Sequence, residues 1–309
     1  MNFLLLQLVT IYLKLGIGIG SGWAIGRFTS AAIAGKLAKW LFWVGVPVSV
    51  FVFVRQIELS STIWIAPVVA WCAMGLCLGL AWLWLRLGQQ TFSKPAQGSF
   101  LLVSTIGNTG YLGFPISLAI AGEATFAWAL FYDLLGSLLW GYGIGVMIAA
   151  YYGRTSEQTQ IYRQMLTQVL INPALWSLVL GLISRAIAFP AFIETSLNAI
   201  AWGVIMLAIV LIGMRLSRLK ISQKLTQIRS SLLIKMLIVP LIFSLLLPLF
   251  GIPKSICLAL VLQIAMPPAF ATLIVSETYK LDQDLAVSSL ATGTIVLLFT
   301  LPIWIILLR

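Results

Sequence analysis

Two stretches of this 309-residue sequence offer chemistry through their backbone more than through reactive side chains. The first reads Ser104-Thr105-Ile106-Gly107-Asn108-Thr109-Gly110-Tyr111-Leu112-Gly113-Phe114-Pro115. Its three glycines and one proline cost roughly 6 kcal/mol of helix propensity relative to alanine. The second reads Gln263-Ile264-Ala265-Met266-Pro267-Pro268. Each proline there removes a backbone donor and pushes its predecessor out of the α region. Both stretches lie in apolar surroundings, so each predicts a membrane helix broken near its middle. Pro115 and Pro267 suit the first turn of a new half-helix. Two half-helices that start near the midplane from opposite faces bring two partial positive charges, about +0.5 each, to one place. Their free amides bind an anion without a buried full cation. Asn108 and Thr109 add side-chain donors and Gln263 adds an amide. Gly110, Tyr111, Met266, Pro268 and Thr272 complete the candidate substrate-binding set. The expected ligand is a small organic anion, a carboxylate. A second reading stays open, in which unwound carbonyls and half-helix C-termini hold Na⁺ instead.

The elements that must position these groups follow from composition. Hydrophobic residues make up 61% of the chain and charged residues 9%, with a mean hydropathy of +1.06. A soluble domain carries roughly 25% charged residues, so a water-facing surface cannot be built here. The apolar runs are continuous rather than alternating, which excludes a transmembrane barrel. An all-α membrane protein remains. Ten spans are expected, near 4–24, 38–54, 62–85, 99–121, 124–151, 169–188, 195–214, 232–250, 255–276 and 285–308. The first reads as a retained span, since no positive region or small-residue cleavage site marks a signal peptide.

Alternate loops hold 14 of the 19 Lys and Arg, Lys235 among them, while Arg55, Arg185, Lys254 and Arg309 lie on the other side and Lys14 lies inside span 1. The richer side is cytoplasmic by the positive-inside rule. Both termini are then extracytoplasmic, and the net charge of +11 reflects topology rather than nucleic-acid binding. Pro115 and Pro267 stand 152 residues apart, close to half the chain. Five spans per half give halves of opposite orientation, 1–155 and 156–309. Paired broken helices in such halves mark a transporter site.

Asp133 falls well inside span 5, and an intramembrane acid is a functional candidate. It either carries a coupling proton or orients Asn108, or else makes a structural hydrogen bond. Glu123 suits a helix N-terminus. Glu277, Asp282 and Asp284 read as solvated loop acids. Pro47 and Pro240 read as packing kinks. Gly16, Gly18, Gly20, Gly22 and Gly26 fit close helix packing. Cys72, Cys77 and Cys257 read as small buried hydrophobes. The sequence has no histidine. That excludes H-E-x-x-H chemistry, and no G-x-G-x-x-G or Walker motif is present. No enzyme activity, metal or cofactor is expected.

The run from Gly107 to Pro115, followed by Gly122-Glu123, resembles the first-half signature of the auxin efflux carrier family, whose prokaryotic members include auxin and malate carrier-like proteins. Ala265-Met266-Pro267-Pro268-Ala269 is similar to the second-half signature. Asn172-Pro173, Gly181 and Pro47 are similar to further family positions. The resemblance implies two inverted five-helix repeats with spans 4 and 9 crossing at their breaks. It implies a scaffold of spans 1, 2, 6 and 7 and a transport domain of spans 3–5 and 8–10. It also implies elevator-like alternating access and a homodimer in a cell membrane, plasma or inner. Asn108, Pro115 and Pro267 are the substrate-site positions it carries over.

Overall fold

In a computed structural model, which describes residues 2–57, 60–88, 92–153, 158–218 and 224–308, the chain is helical. The helices are α1 (Asn2–Phe28), α2 (Ala32–Gln56), α3 (Ile65–Leu87), α4 (Lys94–Thr105), α5 (Thr109–Ile120), α6 (Glu123–Tyr152) and α7 (Gln158–Ile171). They continue with α8 (Pro173–Ile183), α9 (Ala191–Leu216), α10 (Leu225–Leu249), α11 (Lys254–Ile264), α12 (Phe270–Thr278) and α13 (Gln283–Leu308). Among the described residues, α2, α3, α6, α9, α10 and α13 are long and apolar enough to cross a membrane, at 23 to 30 residues. At 1.5 Å per residue these reach roughly 35–45 Å, more than the ~30 Å hydrocarbon core. The expected spans 4 and 9 are each two short helices, α4 with α5 and α11 with α12. Arg154, Lys220 and Arg309 lie outside the described residues, as does the side chain of Lys14.

Proline spacing explains where several helices widen. Pro47, Pro115 and Pro240 each stand two residues beyond a wide, π-type turn, at Leu41–Gly45, Thr109–Gly113 and Ile234–Ile238. A proline ring clashes with the carbonyl four residues before it and offers it no N–H. Those carbonyls belong to Trp43, Tyr111 and Met236, each inside its wide turn. Pro47 and Pro240 therefore do more than kink a helix. Pro115 is not in the first turn of a half-helix, as its spacing suggested: α5 already begins at Thr109, six residues earlier. Two more wide turns interrupt α6, at Tyr132–Ser137 and Gly141–Gly145, where glycine replaces proline as the source of slack.

The chain forms two compact units. The first comprises Met1–Ser60, Phe114–Ala127 and Ile171–Leu219. Its α1 and α9 approach at backbone distance through glycine. A Cβ on Gly22 would strike the Val210 carbonyl and lie 3.0 Å from Val210 Cα, and one on Gly213 would lie 2.7 Å from Trp23 N. Gly181 of α8 faces α2 in the same way, 3.0 Å from Val54 Cβ and 3.2 Å from Phe51 O. Asn172 starts α8 because its Oδ1 accepts from the amides of Ala174 (2.9 Å) and Leu175 (3.3 Å). Arg55, at the end of α2, donates to the carbonyls of Ser184 and Ile187 and stacks 3.8 Å from the Phe189 ring centroid. It thereby fixes the segment between α8 and α9.

The second unit comprises Ser61–Gly113, Trp128–Leu170 and Lys220–Arg309. Here α3 packs on the Tyr132–Ser137 turn, and Trp71 Nε1 donates to Leu135 O at 3.1 Å. Asp282 is not the solvated loop acid its neighbours suggest. It pairs with Lys224, its Oδ1 accepts from the Leu285 amide at 3.0 Å, and its carbonyl accepts from Ser99 Oγ at 2.8 Å. One residue thus ties the starts of α10 and α13 to α4.

Gly213→Ala is expected to lower the stability of the purified protein by about 1–3 kcal/mol, because an added methyl must displace backbone. Gly203→Ala on the same helix meets nothing within 4 Å and is expected to be neutral or slightly stabilising. Thermal unfolding in detergent reads both, and equal melting temperatures for the two variants would contradict the close approach.

Candidate functional site

The two broken stretches lie side by side within the second unit. Asn108 N donates to Pro267 O at 2.7 Å, and Ala269 N donates to Ile106 O at 2.9 Å. Gly107 and Pro268 therefore face each other as one antiparallel bridge. They form the kind of opposed pair whose own N–H groups point away from the partner strand. A proline at 268 costs this pairing nothing, because the missing donor has no role in it. Backbone that leaves the helix inside a membrane must be satisfied by protein, and each break supplies the other's donor and acceptor.

Asn108, Thr109, Gln263, Met266, Pro267 and Pro268 are all buried at this crossing. Asn108 starts α5, and its carbonyl accepts from Leu112 N (3.2 Å) and Gly113 N (3.0 Å), a wide first turn. Gly110 and Tyr111 are half-buried in that turn. Gly113 is bare because the Gln263 amide occupies its flank, with Nε2 2.9 Å from the position a Cβ would take. Thr272 is fully buried, and its hydroxyl donates to Ala269 O at 2.6 Å, so it serves the first turn of α12. Pro267 lies in the extended break and not in a half-helix first turn, since α12 starts at Phe270. Pro115 is buried seven residues into α5, in the stretch Phe114–Ala127 that belongs to the first unit. The breaks pair 107 with 268, a separation of 161 residues where the prolines suggested 152.

Two ionisable groups reach the crossing from wide turns of other helices. Asp133 lies in the Tyr132–Ser137 turn of α6 and accepts a hydrogen bond from Thr109 Oγ1. It also faces Gly110, where a Cβ would lie 3.4 Å from Oδ2. The acid therefore orients Thr109, the neighbour of Asn108. Lys235 was not among the expected site residues. It counts with a cytoplasmic loop in sequence, yet α10 starts at Leu225 and places Lys235 ten residues in, 1% exposed. Its Nζ donates to Ile264 O, the last carbonyl of α11, at 2.9 Å. A Cβ on Gly107 would lie 3.2 Å from that same Nζ. The signal was available: Lys235 sits inside the expected span 232–250, between Ile234 and Met236. Removing it from the basic loops leaves 13, and the bias keeps its sign. Gly293 was also unanticipated; it lets α13 lie on the two prolines, since a Cβ there would be 2.9 Å from Pro268 Cδ and 3.0 Å from Pro267 Cβ.

Residues 3–305 match a family model described as membrane transport protein. An uncharacterized transporter of Methanocaldococcus jannaschii is 26% identical over 273 residues, covering 85% of this chain and 86% of that protein. An uncharacterized transporter of Methanothermobacter thermautotrophicus is 25% identical over 271 residues, covering 86% of each.

Thr109→Val removes a donor from a carboxylate inside a helix bundle. The variant is expected to lose about 1–3 kcal/mol of stability, while Thr109→Ser keeps the hydroxyl and the melting temperature. Indistinguishable unfolding of the two variants in detergent would show that the Thr109–Asp133 bond carries no weight.

Proposed function

This chain belongs to the membrane transport protein family, the auxin efflux carrier family of the sequence resemblance, and from that premise we propose a secondary transporter that moves a small organic anion, a carboxylate, across a cell membrane. The observation that carries this reading is the paired crossing of Ile106–Asn108 with Pro267–Ala269 in a buried setting. Two half-helices, α5 and α12, begin there, and the first amides of any helix lack intrahelical carbonyls. Such starts favour negative charge. Asn108 is the side chain best placed to add a donor, with Thr109 and Gln263 beside it. Lys235 adds a further donor beside the crossing.

The arrangement proposed is ten spans in two inverted five-helix repeats, 1–155 and 156–309. The first compact unit contains α1, α2, α8 and α9 together with Phe114–Ala127 of α5 and α6, and the second contains the crossing. That division supports a scaffold of spans 1, 2, 6 and 7 and a moving transport domain of spans 3–5 and 8–10, working as an elevator. The basic-residue bias supports extracytoplasmic termini in a plasma or inner membrane. A homodimer follows from the family resemblance alone. The second reading is a sodium- or proton-coupled symporter or exchanger of another small solute on the same fold, and Asp133 favours its proton-coupled form: acids inside membrane helices often relay protons.

Asn108→Ala is expected to reach the membrane at wild-type abundance and to lose organic-anion flux in proteoliposomes about tenfold or more, the worth of one hydrogen bond to a charged group. Unchanged flux would remove Asn108 from the site. A panel of carboxylates is expected to raise the melting temperature of the wild-type protein, and a panel with no stabilising member, on both sides of pH 6, would sink the anion assignment.

A further inference from the structure

Lys235 has a place in the fold that anion binding by backbone amides does not require. Its ammonium is enclosed beside the crossing, and among the described residues its hydrogen bond goes to Ile264 O. No acid lies within 4.0 Å of it among those residues. Ile264 ends the half-helix α11, so that carbonyl belongs to the negative pole of an 11-residue helix. Carbonyls of unwound backbone together with half-helix C-termini are what coordinates a coupling cation in transporters built from broken helices. The chain puts its own cation at such a position. Backbone crowding fits this purpose: Gly107 has no side chain where Nζ approaches, and the Met266 carbonyl lies 3.3 Å from the same point. The turn that aims Lys235 is the wide one set by Pro240.

We propose that the Lys235 ammonium is a tethered cation standing where a coupling ion would otherwise sit, so that the crossing is held together and cycles without sodium. The proposal rests on the crossing being the transport site, but its first readout needs no organic substrate. Wild-type protein is expected to melt at the same temperature in sodium and in choline chloride. Lys235→Ala leaves a hole the size of n-propylammonium beside the Ile264 carbonyl. That variant is expected to be destabilised in choline and restabilised by sodium or n-propylammonium. Lys235→Met fills the hole without charge and is expected to show neither response. In proteoliposomes the wild-type flux is expected to be equal in sodium and choline, and the flux of Lys235→Ala to fall about tenfold in choline and recover in part with n-propylammonium. Sodium-dependent melting or flux of the wild-type protein would overturn the proposal, whether or not either variant folds. So would a Lys235→Met protein that transports like wild type. Loss of carboxylate stabilisation with an intact cation response would instead count against the anion site alone.

Discussion

Two hydrogen bonds between unwound segments set the terms for the rest of this molecule. A helix interrupted inside a bilayer exposes donors and acceptors that lipid cannot satisfy. Here Asn108 N meets Pro267 O and Ala269 N meets Ile106 O, so each interruption is the remedy for the other. Neither break is tolerable alone. Gly107 and Pro268 are the residue types that allow the pairing, one because it brings no side chain towards Lys235, the other because its absent N–H has no role there. Gly113 and Gly293 then let Gln263 and α13 close in around the pair.

Three polar side chains at the crossing are placed by defects in helices rather than by helix faces. Thr109, Asp133 and Lys235 each sit in a wide turn, and two of those turns precede a proline by two residues. A wide turn rotates the residues after it relative to an ordinary helix and leaves carbonyls less firmly bonded. The proline is thus a remote instruction: Pro240 sets the local geometry of Lys235 five residues earlier, and Pro115 that of Thr109 six residues earlier.

Much of this could be read in the sequence, and the failures have physical causes. Composition sufficed for an all-helical membrane protein, and Gly and Pro clustering sufficed to find both breaks, because helix propensity is a local property. Continuous helices matched their apolar runs within a few residues, except that α2 and α10 begin six and seven residues earlier than theirs. Lys235 lay inside its expected run and was still counted with the basic loop before it, since a charged residue near a hydropathy boundary reads as loop whether or not the helix has already begun. Pro115 and Pro267 misled in the other direction. Proline is common in a first helical turn, but here one acts through the turn before it and the other lies in extended backbone. Asp282 looked solvated because its partners, Lys224 and Ser99, are 58 and 183 residues distant. No spacing argument reaches that far.

The bridge at Gly107 and Pro268 has an evolutionary consequence. Its donors and acceptors are main-chain atoms, present whatever side chains surround them. Lineages can therefore exchange the residues lining such a junction while its hydrogen bonds persist, and diversify the cargo without rebuilding the machine. Gly107 is the exception, since a side chain there would press on Lys235 and the Met266 carbonyl.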